Sequence, residues 1–212
     1  MRLTKFEHAA LLLEKEGKKI FVDPGNMTTP LTEVDNTVAV VITHQHPDHW
    51  TPEQLARVHE LSPEARVFST AAVAEACPGV DVTVVTAGDT HRVGPFTLRF
   101  FGDTHAVIHR SIPVIDNVGV LINGELFYGG DSLVPPAGLA VDVLAVPAGA
   151  PWLTIGAVMD YVVAVAPRRS FPTHEMGLSR WGKDLAADRI RWATEAGGGQ
   201  YLPLEPFDSY EI

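Results

Sequence analysis

The chain has 212 residues, 46% hydrophobic and 20% charged, which suits one well-buried domain and excludes collagenous, coiled-coil and low-complexity architectures. Asp and Glu outnumber Lys and Arg by 26 to 16, a formal charge of -10, so no basic field is offered to a nucleic acid. The single cysteine, Cys77, cannot close an intrachain disulfide, and no apolar run approaches the ~18–20 residues that cross a bilayer.

The first residues predict strands at Leu3–Phe6 and Ala9–Leu13, a turn at Gly17–Lys19, and a third strand at Ile20–Val22. The run Ala9–Leu13 ends at Glu14, too short for a signal peptide, so a cytoplasmic protein is expected. Val38–Ile42 is continuously apolar, as in a strand covered on both faces. A helix follows it: Thr51 stands at the cap, Pro52 at the first helical position, Gln54 three after the cap, and Leu55, Val58 and Leu61 recur at helical spacing.

A strand at Arg66–Ser69 and a helix at Thr70–Ala76 come next, closed by Pro78-Gly79, then strands at Val82–Val85, Phe96–Phe101, Val118–Ile122 and Leu126–Tyr128. Gly88 to Gly94 reads as a turn region that leaves His91 solvated. Asp142–Val146 repeats the buried-strand pattern, Thr154 caps an apolar helix to Ala166, and a last helix runs from about Trp181 to Ala196 before Gly197-Gly198-Gly199. One constant shift lays Pro47 on Pro151, Pro63 on Pro167 and Val38–Ile42 on Asp142–Val146. That repeat describes two similar β-α halves packed sheet to sheet with helices outside, an α/β/β/α sandwich, and no linker divides residues 1–212.

The chemistry concentrates after Val38–Ile42, in Thr43-His44-Gln45-His46-Pro47-Asp48-His49. Neutral imidazole and carboxylate bind zinc and similar divalent ions, and two histidines one residue apart can point the same way from an extended segment. Asp48 and His49 then face a second ion. His105, Asp131 and His174 each follow a strand, and strand C-termini form one rim of an α/β sheet, so residues distant in sequence can converge there. The helix starting just after His49 turns its positive end toward the same rim.

These residues resemble the metallo-β-lactamase superfamily, whose signature is H-x-H-x-D-H followed by a later His, a Gly-Asp and a final His. The resemblance covers essentially the whole chain and implies an αββα sandwich holding up to two divalent metal ions, zinc first, with manganese or iron as others. It implies His44, His46 and His105 on one ion, Asp48, His49 and His174 on the other, and Asp131 between them. Asp23 in Asp23-Pro24-Gly25 looks like the family's aspartate that supports the ligating histidines from behind. The small size, the His8-Ala9 opening and the ending from Leu178-Ser179 to Gly197 look most like the stand-alone hydrolases near the ascorbate-6-phosphate lactonase branch.

The resemblance implies a metal-dependent hydrolase in which a metal-bridging hydroxide attacks a small ester, lactone or phosphoester. An iron-dependent dioxygenase acting on a thiol or persulfide is the alternative on the same fold. Asp48 is a candidate for orienting the water or moving its proton. His109 and His8 are each a candidate proton donor or a supporting residue, or a structural histidine. The expected partner is a small-molecule substrate, with neither nucleic acid nor membrane, and the oligomeric state stays open. Trp50 and Trp152 flank the rim loops as pocket walls or as packing. Ala106–Asn117 and the loop at Pro135-Pro136 are the other expected pocket walls.

Overall fold

The computed structural model describes residues 1–102 and 104–212; Asp103, between a strand and His105, lies outside the described residues. Strands β1 (Arg2–Lys5), β2 (Leu11–Lys15) and β3 (Lys18–Val22) form an antiparallel meander. Parallel pairing continues through β4 (Thr37–Val41), β5 (Arg66–Ser69) and β6 (Val82–Val84), joined by helices α1 (Pro52–Leu61) and α2 (Ala71–Ala76). The pattern then repeats. Strands β7 (Thr90–Val93), β8 (Phe96–Phe101), β9 (Gly119–Ile122) and β10 (Leu126–Tyr128) are antiparallel. After them β11 (Val143–Pro147), α3 (Ile155–Val165), β12 (Arg169–Thr173), α4 (Arg180–Ala196) and β13 (Gln200–Tyr201) extend the sheet in parallel. The last strand, β14 (Ser209–Glu211), returns to pair with β1.

The two sheets have the orders β14-β1-β2-β3-β4-β5-β6 and β13-β12-β11-β10-β9-β8-β7. Strands β1 to β6 of one sheet match β8 to β13 of the other in order and direction, and β14 sits against β1 as β7 sits against β8. This is the four-layer α/β/β/α sandwich.

Period-2 side chains build three apolar layers from these strands. Ile20 and Val22 of β3 join Ala39, Val41 and Phe68 in a central layer, against Phe100, Val120 and Tyr128 of the second sheet. Phe21, between Ile20 and Val22, points the other way, into the layer shared with Val40, Val67, Leu55 and Val58 beneath α1. Leu144 and Val146 likewise pack outward on Val158, Val162 and Ile190 of α3 and α4. Thr51 caps α1 as its sequence predicts, accepting from Gln54 N at 3.2 Å.

Three local expectations change. The second strand starts at Leu11, not Ala9, because Ala10 N donates to Glu7 O in a turn that holds His8 at φ 57°. The Gly88 to Gly94 region contains β7, and His91 on it is half-buried, its ring 5.1 Å from that of Phe68 and 6.2 Å from that of Phe100. Strands β13 and β14 have no counterpart in the sequence reading: β13 gains strand geometry by pairing with β12, and the three residues of β14 by pairing with the edge of β1. No helix among the described residues is long and apolar enough to cross a membrane.

Strand direction decides where the loops go. Strands β1, β3 and β4 run the same way in the first sheet, and β8, β10 and β12 in the second. Their C-terminal ends carry His8, Asp23, the His44–His49 loop, His105, Asp131 and His174.

Candidate metal centre

The site is built from a buried carboxylate outward. Asp23, fully buried at φ 46°, accepts from Thr43 N through Oδ1 at 2.7 Å and from Thr43 Oγ1 through Oδ2 at 2.6 Å. The same Oδ2 stands 2.7 Å from His49 Nδ1. A carboxylate only accepts, so His49 carries a proton on Nδ1 and turns Nε2 outward, toward the other candidate ligands. Thr43 Oγ1 has already donated its one hydrogen, so it accepts from His44 Nδ1 at 3.0 Å and leaves His44 Nε2 bare. His105 Nδ1 donates to Ala106 O at 2.5 Å and His174 Nδ1 to Gly149 O at 2.8 Å, so on each of these rings Nε2 is the nitrogen left facing the site.

Those atoms converge. His44, His46, His105 and Asp131 form one donor group, and His49, Asp131 and His174 a second, the donor atoms of each lying within 4.8 Å of one another. Asp131 serves both. Its Oδ2 lies 3.2 Å from His105 Nε2 and 4.0 Å from His44 Nε2, and its Oδ1 lies 3.2 Å from His49 Nε2 and 3.3 Å from His174 Nε2. His46 faces His44 Nε2 through Nδ1 at 3.0 Å. Asp48 Oδ2 approaches His174 Nε2 at 3.4 Å and His49 Nε2 at 3.9 Å. A third group joins Asp48 and His174 to His8.

The turn that delivers Asp131 needs glycine. Gly130 has φ 61°, and a Cβ there would lie 2.4 Å from Asn117 Oδ1 and 2.7 Å from Thr43 Cβ. Asn117 fixes that turn by donating to Gly129 O at 2.9 Å and accepting from Asp131 N at 3.0 Å.

Burial lowers the pKa of His44 and His46, keeping both neutral as metal ligation requires. At Asp131 burial acts in the opposite sense, yet the imidazoles of His49, His105 and His174 around it hold the carboxyl well below the usual carboxylate range. Burial would also raise Asp48, but the imidazoles of His174 and His8 beside it keep it ionised. His49 Nε2, His105 Nε2, His174 Nε2 and Asp131 Oδ1 are nonetheless buried without a hydrogen-bond partner. Buried polar atoms are seldom left so, and four aimed at one another fit a divalent cation by donor type and spacing.

All seven residues expected as ligands are thus drawn to one rim, with Asp23 behind them. His8 stands beside Asp48 and His174, its Nε2 3.2 Å from Asp48 Oδ2. His109 is exposed, bonded to Ser111 Oγ at 2.7 Å, and belongs to none of the donor groups among the described residues. Trp50 braces the ligand loop, donating to Gln45 O at 3.2 Å. Pro135 and Pro136 line a cavity of about 200 Å³ with Phe101, Phe127 and Val134.

Sequence reasoning missed how Thr43, Asn117 and Trp152 act. Trp152 donates from Nε1 to Asp131 Oδ2 at 2.9 Å and sets its ring edge-on to His105 and His174. Its adjacency to Pro151 in a rim loop was the one available signal.

The sequence pattern of the family described as the Beta-lactamase superfamily domain matches residues 2–174. Protein Rv0786c of Mycobacterium tuberculosis is 39% identical over 180 residues, 82% of this chain and 84% of that protein. A UPF0173 metal-dependent hydrolase of Aeropyrum pernix is 38% identical over 78 residues, 35% of this chain and 31% of that one. Among solved structures, the metallo hydrolase Igni18 of Ignicoccus hospitalis superposes with a TM-score of 0.74 at 19% identity, covering 100% of this chain and 98% of that one, a likeness of fold.

Proposed function

This chain belongs to the metallo-β-lactamase superfamily, and we propose that within it the chain is a two-ion hydrolase of a small ester, lactone or phosphoester. Metal-dependent hydrolysis is the activity named for its relatives. The observation that carries the two-ion reading is Asp131, whose two carboxylate oxygens face two separate sets of imidazole nitrogens, Oδ1 with His49 and His174 at 3.2 and 3.3 Å and Oδ2 with His105 and His44 at 3.2 and 4.0 Å. His44, His46 and His105 would hold one ion, Asp48, His49 and His174 the other, and Asp131 would bridge. Zinc is the ion that this nitrogen-rich donor set favours.

Bound there, divalent ions supply Lewis acidity, lowering the pKa of a coordinated water to about 7 and polarising the scissile oxygen. The protein's own residues do the rest. Asp23 and Thr43 fix the ring planes of His49 and His44, so the donor atoms are in place before a substrate arrives. Asp48 is the most accessible carboxylate of the set, its side chain 23% exposed against 3% for Asp131, and it is ionised; it is the group placed to take a proton from an attacking water. The N-terminus of α1 starts just beyond His49 and favours an anionic substrate group at the rim despite the acidic surface elsewhere.

The test is elemental analysis of protein purified without added metal or chelator, beside His44→Ala, followed by an ester, lactone and phosphoester panel run with and without oxygen. Expected are about two ions per chain, loss in the variant, and chelator-sensitive turnover that persists without oxygen. Removing Lewis-acid assistance worth several kcal/mol slows turnover about a thousandfold in His44→Ala. Protein that cannot be loaded with metal overturns the reading, and turnover that stops without oxygen transfers the site to the dioxygenase reading.

A further inference from the structure

His8 occupies the turn between β1 and β2, 2% exposed, at φ 57°. His174, which it faces, is at φ 58°. Non-glycine residues enter this region at a cost of about 1 kcal/mol or more and persist where the surroundings hold them. Four contacts hold His8. Its carbonyl accepts from His174 N at 2.8 Å, and its ring centroid lies 3.9 Å from that of His174. Its Nδ1 accepts from Met176 N at 3.4 Å, and its Nε2 stands 3.2 Å from Asp48 Oδ2.

The proton follows from the partners. A backbone N–H only donates, so His8 Nδ1 is the acceptor, and the proton of the neutral ring sits on Nε2, donated to Asp48 Oδ2. Both nitrogens are thereby engaged, and His8 has no lone pair left for an ion, although it stands within the third donor group. What it does possess is a hold on two residues that come from opposite sheets, Asp48 after β4 and His174 after β12.

We propose that His8 is a positioning residue for the second ion. It clamps His174 through backbone and ring, and it turns Asp48 so that this carboxylate meets His49 Nε2 and His174 Nε2. The first donor group, His44, His46 and His105, has no contact with His8, so the effect is confined to one of two sites. This inference rests on the two-ion reading above.

The test titrates zinc and cobalt into metal-free wild type, His8→Phe, His8→Ala and His8→Gln by calorimetry, with cobalt absorption reporting each site's ligand field. Phenylalanine keeps the ring but cannot donate; glutamine restores a donor. Wild type takes two ions. In His8→Phe and His8→Ala one ion binds as in wild type and the other 10- to 100-fold more weakly, with an altered cobalt spectrum at that site, and His8→Gln recovers most of the loss. Two unchanged ions in His8→Phe overturn the inference alone, as does equal weakening of both, or a glutamine variant no better than alanine. Wild type that takes fewer than two ions overturns the two-ion reading itself, and the inference with it. Circular dichroism of the metal-free chains checks folding, and if His8→Phe does not fold, the alanine and glutamine pair decides.

Discussion

Trp152 shows how one side chain tunes a charge it does not ligate. Its indole N–H rests on Asp131 Oδ2, the oxygen turned toward His105 and His44, while its ring walls off His105 and His174 from the side. Hydrogen bonds to ionised groups are worth about 1.5–3 kcal/mol, and donors behind a ligand typically change metal affinity 10- to 100-fold. Trp152→Phe keeps the ring and removes the donor. Metal affinity is expected to fall about tenfold, measured by chelator competition; an unchanged affinity would show that the indole only packs. Lys5 and Glu175 act on the same rim from further back, as a fully buried ion pair tying the end of β1 to the residue after His174. Such a pair adds little net stability over apolar packing, but it fixes which segments meet.

Among the elements, the turn after β3 bears most directly on the ligand loop. Asn26 N donates to Pro47 O at 2.8 Å, and Gly25 passes so close that a Cβ would lie 2.0 Å from Asp48 O and 2.6 Å from His49 N. No rotamer relieves a clash between Cβ and backbone. Gly25→Ala must therefore push the loop away from Asp23, separating His49 from its orienting carboxylate. The expected result is destabilisation of about 1–3 kcal/mol in urea, as for other overpacked sites, together with loss of the second ion. Full metal content at wild-type stability would contradict the close approach.

For the whole molecule, the metal centre joins the two sheets along one edge, since its donors follow β4 in one sheet and β8, β10 and β12 in the other. Ions that bind only the folded chain stabilise it by about 2.7 kcal/mol at a hundredfold excess over Kd, which for a chain of this length raises Tm by about 5–10 °C. Calorimetry with and without chelator reads this directly. The increment depends on pH. Burial would lower His174, but the carboxylates of Asp131 and Asp48 push its pKa up to about 9 in the metal-free chain. That raised value stabilises the metal-free fold fully below the unfolded pKa of about 6.5, and the contribution fades as pH rises through about 9. Metal must displace the same proton, so binding strengthens over the same interval. The rise in Tm on metal loading is therefore expected to widen from pH 6.5 to 9; a constant rise would mean that His174 is neutral before metal binds.

The local pattern was enough to mark candidate ligands, because His44, His46, Asp48 and His49 fall within one loop and their chemistry is set by residue type. It also indicated the two-halved sandwich, since buried-strand runs at Val38–Ile42 and Asp142–Val146 and the caps at Thr51 and Thr154 depend on near neighbours. Strands β7, β13 and β14 escaped because their residues become strand only through partners on β8, β12 and β1. The roles of Thr43, Asn117 and Trp152 were equally hidden, and for His8 the sequence left proton donor, supporting residue and structural histidine open. Each depends on which way a side chain turns from a rim loop, and at His8, Asp23 and His174 that direction comes from a left-handed backbone held by residues far away in the chain. Spacing along a sequence records residue types and periods. Proton positions and shared ligands are fixed only when the folded sheets bring their edges together.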